Sequence, residues 1–138
     1  KLVRMAGADI MVLYTYLGKF VGATKDSNLQ VMSQTACPLQ GKKTTACLLG
    51  GGNHPGLVPL LLSSFGSDVI IGAGGAVHGH PNGSRAGGKA MRHAIEAAMS
   101  GITLEEQAKK HVELRVALEK WGAPKDADES KRLYALRG

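Results

Sequence analysis

The chain has 138 residues, a formal net charge of +6 at pH 7 and 4% aromatic residues. The length suffices for one small domain with its own core and falls far short of the roughly 250 residues of a complete (β/α)8 barrel. The charge does not mark a nucleic-acid binder, because Lys and Arg are interspersed with Asp and Glu, above all from Lys109 onward, and aromatics are too few to stack bases.

An anionic small molecule accounts for the basic excess equally well. Cys37 and Cys47 form neither a CxxC pair nor a disulfide framework, which fits reduced thiols. No apolar run reaches the roughly 18 residues of a membrane span, and no signal-peptide pattern is visible. A cytoplasmic protein with no nucleic-acid and no membrane partner is the expectation.

The opening Lys1-Leu2-Val3-Arg4-Met5-Ala6 reads as the last turns of a helix stopped by Gly7. No initiator Met and no capping residue precede it, so the chain is expected to be the C-terminal part of a longer protein. Residues 10–14 are the first expected strand, followed by a long loop over 15–24. Ser27-Asn28-Leu29-Gln30 has the form of a capping box and predicts a helix that ends before Pro38. Gly41-Lys42-Lys43 turns the chain into a second strand over 44–49, and residues 57–65 predict a short apolar helix stopped by Gly66.

Asp68 leads into a third strand over 69–71, and 84–99 reads as an amphipathic helix carrying Met91, Ile95 and Ala98 on its apolar face. Continuous apolar strands predict a parallel sheet covered on both faces. Thr103-Leu104-Glu105-Glu106 is a second capping box, opening a helix to about Trp121 with Leu104, Ala108, Val112 and Val116 as its buried stripe. The polar segment from Lys125 is expected to be a loosely held helix or disordered.

Two glycine-rich segments carry the functional argument. Leu49-Gly50-Gly51-Gly52-Asn53-His54-Pro55-Gly56 and Gly72-Ala73-Gly74-Gly75-Ala76-Val77-His78-Gly79-His80-Pro81-Asn82-Gly83 each follow an expected strand and precede helical sequence. Strand, glycines, helix, repeated once, is how a (β/α) barrel builds a phosphate site from its last two loops. Glycine tolerates positive φ and lets its N–H approach an anion, and a helix N-terminus adds partial positive charge. Read blandly, both segments are flexible turns; their tandem occurrence favours phosphate.

His78 and His80 have the His-x-His spacing of a zinc ligand pair, but no third ligand stands at suitable spacing. A polar rim contact or a loop-ordering hydrogen bond is expected for both, and no metal ligand is assigned. His54 is a candidate substrate contact or a structural residue of the turn before Pro55. His93 and His111 are expected on solvated helix faces, and Trp121 as a packing anchor.

Gly7-Ala8-Asp9-Ile10, Leu17-Gly18-Lys19-Phe20, Gly50-Gly51-Gly52-Asn53-His54 and Gly74-Gly75-Ala76-Val77-His78-Gly79-His80-Pro81, in this order and spacing, resemble the last three βα units of the RuBisCO large-subunit superfamily. The resemblance covers about the first 100 residues well. It implies an α/β fold, the C-terminal three βα units of a TIM barrel plus C-terminal helices, with residues 1–122 in the barrel domain and 123–138 a polar tail. It further implies a substrate phosphate on Gly50, Gly51, Gly52, Gly74 and Gly75, and a homodimer. Mg²⁺ is implied as cofactor, its ligands on an earlier strand and so not in this sequence.

Lys19 matches the mobile-loop lysine of the carboxylases, a catalytic cation, and is otherwise an ordinary loop lysine. Val12 stands where carboxylases carry a phosphate-binding histidine, and Gly50 where they carry a serine. Neither offers a donor side chain, so a substrate with one phosphate is expected, in a RuBisCO-like protein and not a carboxylase. The glycine segments look closest to the methionine-salvage enolases, which tautomerise 2,3-diketo-5-methylthiopentyl 1-phosphate. Alternatives are an isomerase or decarboxylase of a phosphorylated sugar or sugar acid on the same fold, or a non-catalytic phosphate-binding remnant.

Overall fold

Three apolar runs bounded by glycines become three parallel strands in the computed structural model, which describes residues 1–20, 22–39 and 41–137, the side chain of Arg137 excepted. They are β1 (Ile10–Tyr14), β2 (Ala46–Gly50) and β3 (Ile70–Ile71), in the order β1-β2-β3. The register runs from Ile10 opposite Ala46 to Tyr14 opposite Gly50, and pairs Leu48 with Ile70 and Leu49 with Ile71. Helix α1 (Leu2–Met5) precedes the sheet, α2 (Lys25–Ala36) joins β1 to β2, and α3 (Val58–Phe65) joins β2 to β3. Parallel neighbours need such crossovers. The arrangement is a partial (β/α) barrel followed by further helices.

Those helices are α4 (Gly74–His78), α5 (Gly83–Met99), α6 (Leu104–Lys110), α7 (Val112–Trp121) and α8 (Ala127–Arg137). Leu13, Leu49, Leu57, Leu61 and Phe65 form one core beneath the sheet, and Val58, Met91, Ala94, Leu104 and Leu114 a second among α3, α5, α6 and α7. Among the described residues, one sheet face is covered and the other is open. On β1, Leu13 is buried while Val12 and Tyr14 are 55% and 53% exposed, so the expectation of two covered faces is corrected.

Three local expectations also change. Helix α2 starts one turn early: Thr24 accepts from the Ser27 backbone N–H at 3.1 Å, and the Ser27 hydroxyl accepts from the Thr24 N–H at 3.0 Å. This reciprocal box replaces the one expected from Ser27 to Gln30. The helix expected over 104–121 is broken at His111, whose backbone is extended (φ −130°, ψ 101°). The break resets the helical phase, exposing Val112 and burying Leu114 and Ala117 instead. It also turns the His111 ring onto that of His93, 3.6 Å between centroids, so these histidines stack on each other and are not simply solvated. By contrast, the Thr103–Glu106 box forms as expected.

Candidate functional site

The C-terminal ends of the strands are tied together by side-chain amides. Asn28 on α2 accepts from the Tyr16 N–H at 2.8 Å and donates to the Tyr14 carbonyl at 3.2 Å, holding the exit of β1. Asn53, 1% exposed, donates from Nδ2 to the carbonyls of Leu49 (2.7 Å) and Gly72 (3.1 Å), joining the exits of β2 and β3. Asn28 and Asn53 thus serve backbone groups where the ladder ends, although the Leu49 carbonyl also accepts from the Gly72 N–H at 2.9 Å.

Between these ties lies Gly50-Gly51-Gly52. Gly51 and Gly52 have φ of 114° and 93°, a region L side chains rarely adopt. Each carbonyl of the run accepts a hydrogen bond, two from the loop after β1 and one from α8. The Gly50 carbonyl takes the Thr15 N–H at 3.2 Å, that of Gly51 the Lys19 N–H at 2.8 Å, and that of Gly52 the Tyr134 hydroxyl at 2.7 Å. Among the described residues, the N–H groups of Gly51 and Gly52 enter no hydrogen bond.

A cleft of about 1040 Å³ opens above these loops. Lys19, Gly52, His54 and Gly75 line it together, with Lys120, Trp121, Lys131 and Tyr134 from α7 and α8. Of the expected site residues, these four are brought to one place. Gly50 lies within β2 against Val12 and Tyr14, Gly51 is buried under Phe20 and Gly18, and Gly74 stands beside the cleft with open space around it. The Lys19 stem packs on Gly52. His54 stacks near Trp121, 6.2 Å between centroids and 22° between planes.

Tyr134, Lys120 and Lys131 were not anticipated from the sequence. Lys120 donates to the Gly79 carbonyl and lies over the Trp121 ring. The segment from Lys125 is the helix α8, and it is held in place: Ser130, fully buried, donates to the Leu17 carbonyl at 2.7 Å. His80 orders its loop, accepting from the Asn82 N–H at Nδ1 (3.0 Å) and facing the Glu113 carbonyl with Nε2 (2.9 Å), which fixes the Nε2–H tautomer. His78 pairs with Ser84.

The charged side chains lining the cleft are Lys19, Lys120 and Lys131, with no carboxylate among them. Among the described residues no group of three or more His, Cys, Asp or Glu side chains is placed to hold a metal ion. This lining fits an anion and does not fit Mg²⁺, which takes carboxylate and other oxygen ligands.

Comparison with known proteins shows the family. The family model for the ribulose bisphosphate carboxylase large chain, catalytic domain, matches residues 1–121. The chain belongs to that family. It is 43% identical over 122 residues to the ribulose bisphosphate carboxylase of Pyrococcus furiosus, covering 88% of this chain and 29% of the relative. It is likewise 43% identical over 123 residues to the 2,3-diketo-5-methylthiopentyl-1-phosphate enolase of Bacillus licheniformis, covering 88% of this chain and 30% of the relative.

Among solved structures, the octameric carboxylase of Pyrococcus horikoshii matches with a TM-score of 0.82 at 39% identity, covering 88% of this chain and 29% of that one. A rubisco-like protein from Alicyclobacillus acidocaldarius matches with a TM-score of 0.78 at 37% identity, covering 88% and 30%. The chain thus spans just under a third of the length of these relatives. Carboxylases and enolases stand equally near, so overall identity does not separate the two activities.

Proposed function

We propose that this chain forms the phosphate-binding part of a RuBisCO-family enzyme acting on a phosphorylated small molecule. The carrying observation is the cleft in which Gly52 and Gly75, from loops that follow adjacent parallel strands, face a space lined by three lysines and no carboxylate. An anion there meets glycine backbone it can approach closely and positive charge with no carboxylate beside it in the lining. Gly51 and Gly74 flank the same loops and would add backbone dipoles to the cradle.

Within the family, we read the reaction as enolisation of a monophosphorylated keto-sugar, of the type named in the enolase relatives. Support comes from Val12 and Gly50, which carry no donor for a second phosphate. Enolisation removes a proton next to a carbonyl and places negative charge on its oxygen. Lys19, within the cleft, is positioned to meet such charge. The same lysine favours the second reading, an isomerase or decarboxylase of a phosphorylated sugar acid, where charge also develops. The Mg²⁺ that the family implies would be held by residues other than the described ones. A homodimer is retained as the assembly; relatives include the dimeric archaeal Rubisco from Hyperthermus butylicus as well as octamers.

The test offers the intact protein 2,3-diketo-5-methylthiopentyl 1-phosphate, following the enol product, and separately ribulose bisphosphate with labelled CO₂. Enol formation without carbon fixation is expected. Fixation of CO₂ overturns the monophosphate reading, and turnover of neither substrate points to the second reading or to a non-catalytic protein.

A further inference from the structure

The family match ends at residue 121, and α8 lies beyond it. Yet α8 reaches two of the loops around the cleft. Ser130 and Tyr134 stand four residues apart on one helix face. Ser130 binds the Leu17 carbonyl in the loop after β1, and Tyr134 binds the Gly52 carbonyl in the loop after β2. Lys131 and Tyr134 both line the cleft.

The Gly52 contact has an electrostatic consequence. A carbonyl oxygen on the wall of an anion site carries partial negative charge and repels the ligand. The carbonyls of Gly50 and Gly51 are occupied by backbone N–H groups from the β1 loop, whereas Gly52, which lines the cleft, depends on a side chain for its donor. We propose that Tyr134 is a positioning residue of the phosphate site, its hydroxyl holding and neutralising the Gly52 carbonyl, while Lys131 adds positive charge to the same wall. This rests on the phosphate reading of the cleft. Burial pushes the Tyr134 phenol up to about 12, so the hydroxyl keeps its proton and remains a donor.

Gly52–Asn53 is the one Gly–Asn step in the sequence. Labelling glycine carbonyl carbon and asparagine nitrogen in the intact protein therefore restricts the signals to Gly–Asn steps, of which this chain supplies one. That resonance is followed in parallel with the affinity for radiolabelled inorganic phosphate by equilibrium dialysis. Tyr134→Phe keeps the ring and removes the hydroxyl; it should shift the Gly52 carbonyl resonance and weaken phosphate binding about three- to tenfold, the range of one lost hydrogen bond. Lys131→Gln should weaken binding and reduce its salt sensitivity without moving the resonance.

Ser130→Ala is the structural control, expected to lower the unfolding midpoint while leaving phosphate affinity within twofold, roughly the reproducibility of such a measurement. If wild type binds phosphate and Tyr134→Phe binds it equally well or more tightly, the assignment is overturned while the phosphate reading stands. An equal loss in Ser130→Ala and Tyr134→Phe also overturns it, since α8 would then act only by bracing the loops. If wild type binds no phosphate, the reading of the cleft fails and takes this assignment with it.

Discussion

Gly18 and Gly51 meet backbone to backbone: a Cβ on Gly18 would overlap the carbonyl oxygen of Gly51. The Lys19 N–H donates to that same oxygen at 2.8 Å, so the close approach is what carries Lys19 over Gly52. Gly18→Ala should force the β1 loop off the glycine run. A loss of about 1–3 kcal/mol is expected, as for overpacking of a tight contact, and is read from urea unfolding midpoints. An unchanged midpoint would show that the loop yields without cost.

Asn53 joins two strand exits from a buried position. Asn53→Leu keeps the branching and heavy-atom count of the side chain and removes both donations. The Gly72 carbonyl is then left unpaired near the interior, a loss of about 1–3 kcal/mol. Hydrogen exchange should show faster opening at the end of β2 than in α5. Uniform exchange across the chain would contradict the role assigned to this amide.

Tyr134 predicts an alkaline effect with a definite sign. Its folded-state phenol is raised from 10.0 to about 12 by burial, so between these values the unfolded chain ionises and the folded one does not. The contribution of the buried phenol to stability is complete below pH 10.0 and is lost as pH rises toward about 12. Subtracting the ultraviolet phenolate titration of Tyr134→Phe from that of wild type should isolate this late step. A difference curve centred at the ordinary tyrosine value would remove it.

The bare sheet face carries Ile10, Val12, Tyr14 and Ile70, all exposed, beside open strand edges. Such a face drives association. Sedimentation of the 138-residue chain on its own should show species larger than a monomer. Val12→Lys, on the middle of that face, should shift the distribution toward monomer. A wild-type chain that sediments as one monomeric species would contradict this.

What was legible in the sequence was what neighbours in sequence decide. Apolar runs closed by glycines gave all three strands to within two residues, and the Thr103–Glu106 box formed because its partners lie three residues apart. The start of α2 was ambiguous on the same local grounds: Thr24 and Ser27 satisfy each other as a capping pair just as Ser27 and Gln30 would have. The break at His111 accompanies stacking on His93, eighteen positions earlier on another helix, and periodicity alone carries no trace of it. The role of Tyr134 is illegible for a stronger version of that reason. It reaches Gly52 across 82 residues from a polar segment whose composition suggested loose attachment.

A phosphate held over Gly52 and Gly75 is best probed at Gly75 itself. This residue has no positive φ, and a Cβ there meets nothing within 4 Å, so the fold should accept a side chain. Gly75→Val then places branched carbon in the space assigned to the anion. Affinity of the intact protein for inorganic phosphate should fall about tenfold or more, corresponding to at least about 1.4 kcal/mol, with the unfolding midpoint unchanged. Phosphate bound by Gly75→Val as tightly as by wild type would contradict the account.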